Sequence, residues 1–145
     1  MTRVVLASTS PARLTLLRNG GIEPVTISPA VDEDEVTAVA TASGLIKNTE
    51  DMVLLLARAK AEAVLGNPLA ANSVIIGCDS SLEFEGESLG KPHLPEVAVA
   101  RWQKLRGNQG RLFTGHWVID NRETSPVKGI GRVSHSVVRF AQLSD

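Results

Sequence analysis

The hydroxyl-rich segment Ser8-Thr9-Ser10-Pro11-Ala12-Arg13 follows an apolar stretch and could hold a phosphate group. Ser10 followed by Pro11 is typical of a helix N-cap with proline at the first helical position. The N–H groups at such a helix start attract anions, and the Ser8 and Ser10 hydroxyls and the Arg13 guanidinium would converge there. The segment therefore predicts a phosphate-binding corner. The alternative is an ordinary capped turn with a solvated arginine.

Two carboxylates could serve a metal ion or an attacking water. Asp79 follows residues 73–77, an apolar run that predicts a buried strand, so its charge calls for a cationic or hydrogen-bonding partner. Glu33 lies in the acidic run 32–35, and the two carboxylates could share Mg²⁺ with phosphate oxygens. The alternatives are a turn residue at Asp79 and a solvated loop around Glu33.

Two lysines could each place an ammonium group near a phosphate. Lys60 falls near the middle of a predicted helix, and Lys91 lies between Gly90 and Pro92. A lysine acts as a point charge on a flexible stem, which suits the neutralisation of phosphate oxygens. The alternative for both is an ordinary solvated lysine on the surface.

The remaining motifs argue against several other chemistries. His93, His116 and His135 lack the spacing of metal ligands, and the single cysteine, Cys78, provides no zinc or thiol-redox pair. We find no Gly-x-Ser-x-Gly elbow and no Walker phosphate loop in the sequence. A single cysteine also rules out an internal disulfide and favours a reducing compartment.

The composition is that of an ordinary soluble globular protein. The chain has 145 residues, of which 43% are hydrophobic and 21% charged, and its net charge is -1. This charge gives no reason to expect a nucleic-acid polymer as partner. No apolar run has the length of a membrane span, and the N-terminus lacks the apolar region of a signal peptide, so we expect a cytoplasmic protein without a membrane partner.

Helix and strand patterns alternate along the chain and then give way to strands, which predicts a mixed α/β fold. Thr49 is predicted to be the N-cap of the longest helix, and residues 36–45 form a weaker helical pattern. The other helices are expected at 11–19 and 95–105, and the strands at 3–7, 22–28, 73–77, 110–120 and 127–140. Residues 82–89 should form a hairpin that turns near Gly86. The final Leu143-Ser144-Asp145 resembles a helix start, from which we expect the natural protein to continue.

Taken together, these motifs resemble the Maf-like proteins, of an actinobacterial type, across essentially the whole chain. The segments that carry the resemblance, in family order, are Ser8-Thr9-Ser10-Pro11-Ala12-Arg13, Val31-Asp32-Glu33, Ala59-Lys60-Ala61, Asp79-Ser80, Leu89-Gly90-Lys91-Pro92, Leu105-Arg106-Gly107 and Thr114-Gly115. The resemblance implies a mixed twisted sheet flanked by helices, similar to the inosine triphosphate pyrophosphatases. It also implies metal-dependent hydrolysis of nucleoside triphosphates to monophosphate and pyrophosphate, and an association with septum formation and cell-division arrest.

The resemblance assigns the cationic and hydroxyl side chains to the triphosphate. Ser8 and Arg13 would bind phosphate, beside Ser10 of the same corner. Lys60 and Lys91 would neutralise the triphosphate as part of the catalytic machinery. Such a site works mainly by positioning the phosphates and neutralising their charge.

The resemblance assigns Glu33 and Asp79 to a divalent cation, Mg²⁺ or Mn²⁺, with Asp79 also the general base. Two departures from the family pattern stand out. Ala12 replaces a first arginine that many relatives carry, and Ser80 and Ser81 replace the more frequent Thr-Val after the aspartate. The second change preserves the carboxylate.

We therefore expect an enzyme that clears noncanonical or surplus nucleoside triphosphates. The alternative is a nucleotide-binding regulator of cell division without turnover, and a third possibility is a fragment that has lost both properties. We expect residues 1–145 to form a single Maf-like domain that lacks a C-terminal segment. The cleft would then be completed by a second subunit in a homodimer, or activity would be reduced.

Overall fold

The computed structural model describes residues 2–90, 94–123 and 127–142. In these ranges the chain forms a mixed six-stranded sheet with the order β2-β1-β3-β5-β6 and β4 paired to β3, which confirms the predicted α/β fold. The strands are β1 (Arg3–Ala7), β2 (Val25–Thr26), β3 (Ser73–Phe84), β4 (Glu87–Leu89), β5 (Gln109–Asn121) and β6 (Lys128–Arg139). The helices are α1 (Pro11–Asn19), α2 (Glu33–Ala42), α3 (Thr49–Ala63) and α4 (Pro95–Leu105), with a short 3₁₀ turn at Pro68–Ala70.

The central strand, β3, changes its neighbour halfway along one edge. On this edge it pairs in parallel with β1 over residues 73–77 and antiparallel with β4 over 82–84. On the other edge it pairs antiparallel with β5 over 73–83. Within the part of the chain that the structure describes, residues 78–81 therefore have a neighbouring strand on the β5 side alone. Asp79 lies in this gap.

Helix α3 packs closely on β3 and β5 because glycines lie beneath it. A Cβ atom on Gly77 would lie 2.2 Å from the carbonyl oxygen of Ala57, and one on Gly115 would lie 2.3 Å from that of Val53. Any other residue at either position would force the helix away from the sheet. The core beneath this helix includes the buried residues Val5, Ala7, Ala61, Val64, Ile75 and Ile119.

Several predicted boundaries are confirmed. Helix α1 begins at Pro11 with Ser10 as its N-cap, and α4 has the predicted bounds of 95–105. The β3 and β4 strands form the predicted hairpin, with Glu85 and Gly86 at its turn. Strands β5 and β6, which correspond to the strands expected at 110–120 and 127–140, form a long antiparallel pair.

The acidic run at residues 32–35 forms the start of helix α2, so the alternative of a solvated loop around Glu33 is wrong. The Asp32 carboxylate accepts a hydrogen bond of 3.1 Å from the Glu35 N–H and caps the helix. The three acidic residues that follow lie in its first turn, where they interact favourably with the positive end of the helix dipole. The helix consequently begins at Glu33, three residues before the predicted start at Val36.

Three other boundaries also differ from the predictions. Asn48, rather than Thr49, caps α3, because the Thr49 hydroxyl is used by tertiary contacts described below. The predicted strand 22–28 is reduced to the two residues of β2, and its later start follows from Pro24, which has no N–H to donate to a sheet. Strand β3 continues past residue 77 because β5 pairs with it along almost its full length.

Two predictions concern residues outside the described ranges. Lys91 and the helix start expected at Ser144 both fall there. Among the described residues, we find no helix that is both long and apolar enough to cross a membrane.

Candidate active site

The turn between β1 and α1 forms one side of the site. Ser10 accepts a hydrogen bond of 3.3 Å from the Arg13 N–H, which closes the first turn of α1. Ser8 Oγ accepts two hydrogen bonds, from the Ser10 N–H at 3.1 Å and from Arg13 Nη1 at 3.3 Å. Because both lone pairs of the Ser8 oxygen are used, its proton remains to be donated to an acceptor such as a phosphate oxygen.

The Arg13 side chain reaches from α1 across to β3. Its Nη1 donates to Ser8 as described, and its Nη2 donates to Ser80 Oγ at 3.3 Å. A guanidinium has five N–H donors in a fixed fork, so three remain for a ligand. The side chain is thus held by hydroxyl groups at two points and still presents a positive charge with free donors.

Lys60 connects two carboxylates on the opposite side of the site. Its ammonium group lies 2.9 Å from Asp79 Oδ1 and 3.2 Å from Glu33 Oε1, and it also donates to the Cys78 carbonyl oxygen at 3.4 Å. The side chains of Lys60 and Asp79 are only 13% and 11% exposed, whereas that of Glu33 is 51% exposed. The alternatives of a solvated Lys60 and a turn-capping Asp79 are therefore wrong.

Burial raises the pKa of Asp79 above its ordinary value of 3.8, and the hydrogen bond from Lys60 partly opposes this increase. The nearby charge of Glu33 also raises this pKa, while that of Arg13 lowers it. A carboxylate with a raised pKa accepts a proton more readily than an exposed one. Asp79 is therefore suited to act as a base.

Two adjoining cavities open around these residues. The first, which we call the α1 cavity, has a volume of about 460 Å³ and is polar. The second, which we call the α2 cavity, has a volume of about 780 Å³ and is lined by several apolar side chains of α2, α3 and β3. Glu33, Asp79 and Ser80 border both cavities. The predicted site residues that line the α1 cavity are Ser8, Ser10, Arg13, Glu33, Lys60 and Asp79.

The structure thus places these six predicted residues around one cavity, and the seventh, Lys91, lies outside the described ranges. Sequence reasoning assigned no role to Ser80 or Thr114, which the structure links by a hydrogen bond of 2.9 Å between their hydroxyls. Both occur in segments that resemble the family. Their adjacency depends on the pairing of β3 with β5, which no local pattern reveals.

Similarity to known proteins is extensive along this chain. Curated relatives named nucleoside triphosphate pyrophosphatase occur in Leifsonia xyli subsp. xyli, with 45% identity over 99% of this chain and 67% of the relative, and in Streptomyces avermitilis, with 42% identity over 99% and 64%. The chain therefore spans about two thirds of the length of these relatives.

A solved HAM1 protein from Coxiella burnetii aligns with 99% of this chain and 75% of its own, at 14% identity and a TM-score of 0.49, a similarity too distant to add to the assignment. The model of one family, described as Maf-like protein, matches residues 3–145. With the relatives at 42% and 45% identity, this match shows that the chain belongs to the Maf-like protein family.

Proposed function

We propose that this protein hydrolyses nucleoside triphosphates to the nucleoside monophosphate and pyrophosphate, and so clears noncanonical or surplus nucleotides. The observation that carries the proposal is the placement of a buried carboxylate, Asp79, beside an anion-binding corner in one cavity. The names of the curated relatives support the same reaction. The polar α1 cavity would take the triphosphate.

The triphosphate would be bound by groups that carry positive charge or free protons. Ser8 would donate its remaining proton to a phosphate oxygen, and the free N–H groups of Arg13 would donate to others. Ser10 would serve by capping α1, which directs the positive end of the helix toward the cavity. We assign Lys91 to the same charge neutralisation on the family resemblance.

Asp79 would act as the general base in an in-line displacement. Its carboxylate would take a proton from a water molecule whose oxygen forms a bond to the α-phosphorus. The bond between the α-phosphorus and the oxygen that bridges to the β-phosphorus would break, and pyrophosphate would leave. Lys60 orients Asp79 through their hydrogen bond and lowers the cost of burying its charge.

The residues present fit a divalent cation of the Mg²⁺ or Mn²⁺ type. Such ions are commonly held by one or two carboxylates together with substrate phosphates, and Glu33 and Asp79 both reach a single ammonium group. These two carboxylates would hold the ion on the proposed function. A bound ion would supply charge neutralisation at the phosphate oxygens. Lys60, which now neutralises both carboxylates, could then transfer its interactions to phosphate.

The α2 cavity would take the nucleoside part of the substrate. It adjoins the α1 cavity at Glu33, Asp79 and Ser80, so one ligand can occupy both. Its apolar walls suit the faces of a base and a sugar, and a few polar groups suit their edges. The apolar residues that line it include Val31, Met52, Leu56, Leu82, Leu89 and Leu112.

The test is pyrophosphate release from a panel of common and modified nucleoside triphosphates, each with Mg²⁺ or Mn²⁺. The wild-type chain and its Asp79→Asn variant are compared in parallel, because asparagine keeps the shape of the side chain and loses its basicity. We expect release by the wild type and its loss in the variant. Wild-type rates in Asp79→Asn would remove Asp79 from the base role.

The second candidate is a nucleotide-binding regulator of cell division without turnover. The observation that favours it is the engagement of Lys60 with both carboxylates, which neutralises the two groups that hydrolysis would use. This candidate predicts nucleotide binding in calorimetry with no pyrophosphate formed under any metal condition. Pyrophosphate formation that depends on Asp79 would exclude it.

A further inference from the structure

We propose that Thr114 is a positioning residue that acts through Ser80 to hold Arg13 in its anion-binding orientation. The inference rests on the proposed function in one respect, the binding of a triphosphate by Arg13. It concerns a residue of β5 that lies across the central strand from α1. The contact that carries it is the chain of hydrogen bonds from Thr114 through Ser80 to Arg13.

Ser80 and Thr114 lie on the face of the sheet opposite α3. Asp79 and Gly115, which are directly paired, face that helix, since Asp79 bonds Lys60 and Gly115 lies beneath Val53. Side chains alternate along a strand, so the neighbouring pair faces the other way. The Thr114-Gly115 dipeptide thus has two separate consequences. The glycine allows α3 to pack closely on the sheet, and the threonine places a hydroxyl on the face where Arg13 lies.

The direction of one of these hydrogen bonds follows from the donors available. Arg13 Nη2 can only donate, so the Ser80 oxygen accepts from it at 3.3 Å. The Ser80 and Thr114 hydroxyls share a second hydrogen bond of 2.9 Å, in which either can donate because the Ser80 oxygen has another lone pair. Thr114 is β-branched and lies within a paired strand, so its side chain has few rotamers. It can therefore hold the Ser80 hydroxyl in the orientation that directs a lone pair at the guanidinium.

This fixation matters because arginine has many rotamers to lose on binding an anion. A guanidinium that is already oriented loses less conformational entropy when the ligand binds. Ser8 holds one nitrogen of Arg13, and Ser80 holds another. Without Thr114, the Ser80 hydroxyl can rotate to other acceptors, and one of the two points that hold the guanidinium is weakened.

The test measures binding of inorganic triphosphate by titration calorimetry, without divalent cations, to the wild type and three variants. Thr114→Val keeps the shape of the side chain and removes the hydroxyl. We expect it to weaken binding about tenfold, which corresponds to about 1.4 kcal/mol. Thr114→Ser restores the hydroxyl, and we expect it to bind within about twofold of the wild type. Ser134→Ala is the matched control, because Ser134 is paired with Thr114 and exposed on the same face, and it should bind as the wild type does.

A double-mutant cycle separates positioning from direct contact with the anion. We expect Thr114→Val to have no further effect in an Arg13→Ala background, measured at low salt so that the remaining cations retain binding. Unchanged melting temperatures would show that the fold is intact. Undiminished binding by Thr114→Val, an equal loss in both backgrounds, or failure of the wild type to bind triphosphate would each overturn the inference.

Pyrophosphate release distinguishes this inference from the proposed function. If the chain is active, we expect Thr114→Val to raise KM about tenfold and to leave kcat within about twofold, because it weakens binding of the ground state and the transition state alike. Binding that depends on Thr114 without any release would retain the inference and contradict hydrolysis. Pyrophosphate release with an unchanged KM in Thr114→Val would support hydrolysis and contradict the positioning role of Thr114.

Discussion

The ammonium group of Lys60 lies 2.9 Å from the Asp79 carboxylate because the helix that carries it packs directly on glycine. Ala57 lies three residues before Lys60, and Ala61 lies one residue after it. The backbone of both alanines packs against Gly77. The depth of α3 on the sheet therefore determines how closely the lysine approaches the aspartate. Packing beneath the helix and electrostatics in the site depend on the same two glycines, Gly77 and Gly115.

Gly115→Ala should destabilise the chain by about 1–3 kcal/mol. The new methyl group would lie 2.3 Å from the Val53 carbonyl oxygen, so α3 must move away from β5. Urea unfolding measures the loss. The matched control is Gly66→Ala, where nothing lies within 4 Å of the new methyl group and stability should change little. Equal effects of the two substitutions would show that close packing beneath α3 does not contribute to stability.

Lys60→Met should lower the free energy of unfolding by about 1–3 kcal/mol at neutral pH. Methionine keeps much of the volume of the lysine stem, but it leaves the carboxylates of Asp79 and Glu33 without their shared cation. The loss should shrink in acid, where both carboxylates are protonated. Lys104→Met, at an exposed position in the last turn of α4, is the control and should change stability by less than about 0.5 kcal/mol. A pH-independent loss would point to packing rather than charge.

Asp79→Asn should gain stability relative to the wild type as pH rises, in the presence of a chelator. Burial raises the pKa of Asp79 in the folded chain above 3.8, so folding favours its protonated form. The stability that Asp79 contributes is therefore fully present below pH 3.8 and is lost as pH rises through the folded pKa. The variant has no proton to lose. The test compares the unfolding free energies of the two chains at about pH 3 and pH 7. A loss of stability of the variant relative to the wild type at the higher pH would mean that Lys60 affects the pKa of Asp79 more than burial does.

Thr49→Val should destabilise the chain by about 1–3 kcal/mol. The buried Thr49 hydroxyl donates to Glu83 Oε2 at 2.6 Å and lies 2.6 Å from Ser88 Oγ, which joins α3 to the hairpin of β3 and β4. Valine has a similar shape and helix propensity, so the loss reports these hydrogen bonds. Thr41→Val, at an exposed position of α2, should have little effect in the same thermal unfolding measurement. An equally small effect of Thr49→Val would show that the hydrogen bonds of Thr49 to the hairpin do not contribute to stability.

Local sequence patterns predicted the elements that have local causes. The Ser10-Pro11 cap and the bounds of α4 are confirmed because each depends on residues adjacent in the chain. The extent of β3 could not be predicted this way. The polar residues 78–81 suggested the end of a strand, yet pairing with β5 continues the strand to residue 83. The start of α2 was missed because a run of four acidic residues suggested a solvated loop rather than a capped helix.

The candidate site was predictable as a set of residues but not as a geometry. Residue patterns indicated Lys60, Glu33 and Asp79, and the family resemblance implied their roles. The structure adds that one ammonium group joins both carboxylates. The roles of Ser80 and Thr114 depend on the register between two strands separated in sequence. Such long-range pairing is decided by the whole fold, and no local signal specifies it.

The position of Asp79 within the central strand determines the temperature at which the candidate site loses its structure. Strand β3 is paired with β5 along almost its full length, and it is covered by α3 on one face. Amide hydrogens in such a strand exchange with solvent mainly through cooperative unfolding, whereas surface loops open locally at little cost. The proposed base should therefore keep its place until the whole domain melts. Loss of activity with temperature should then follow the global transition, with no earlier phase due to a loosening of the strand that carries Asp79.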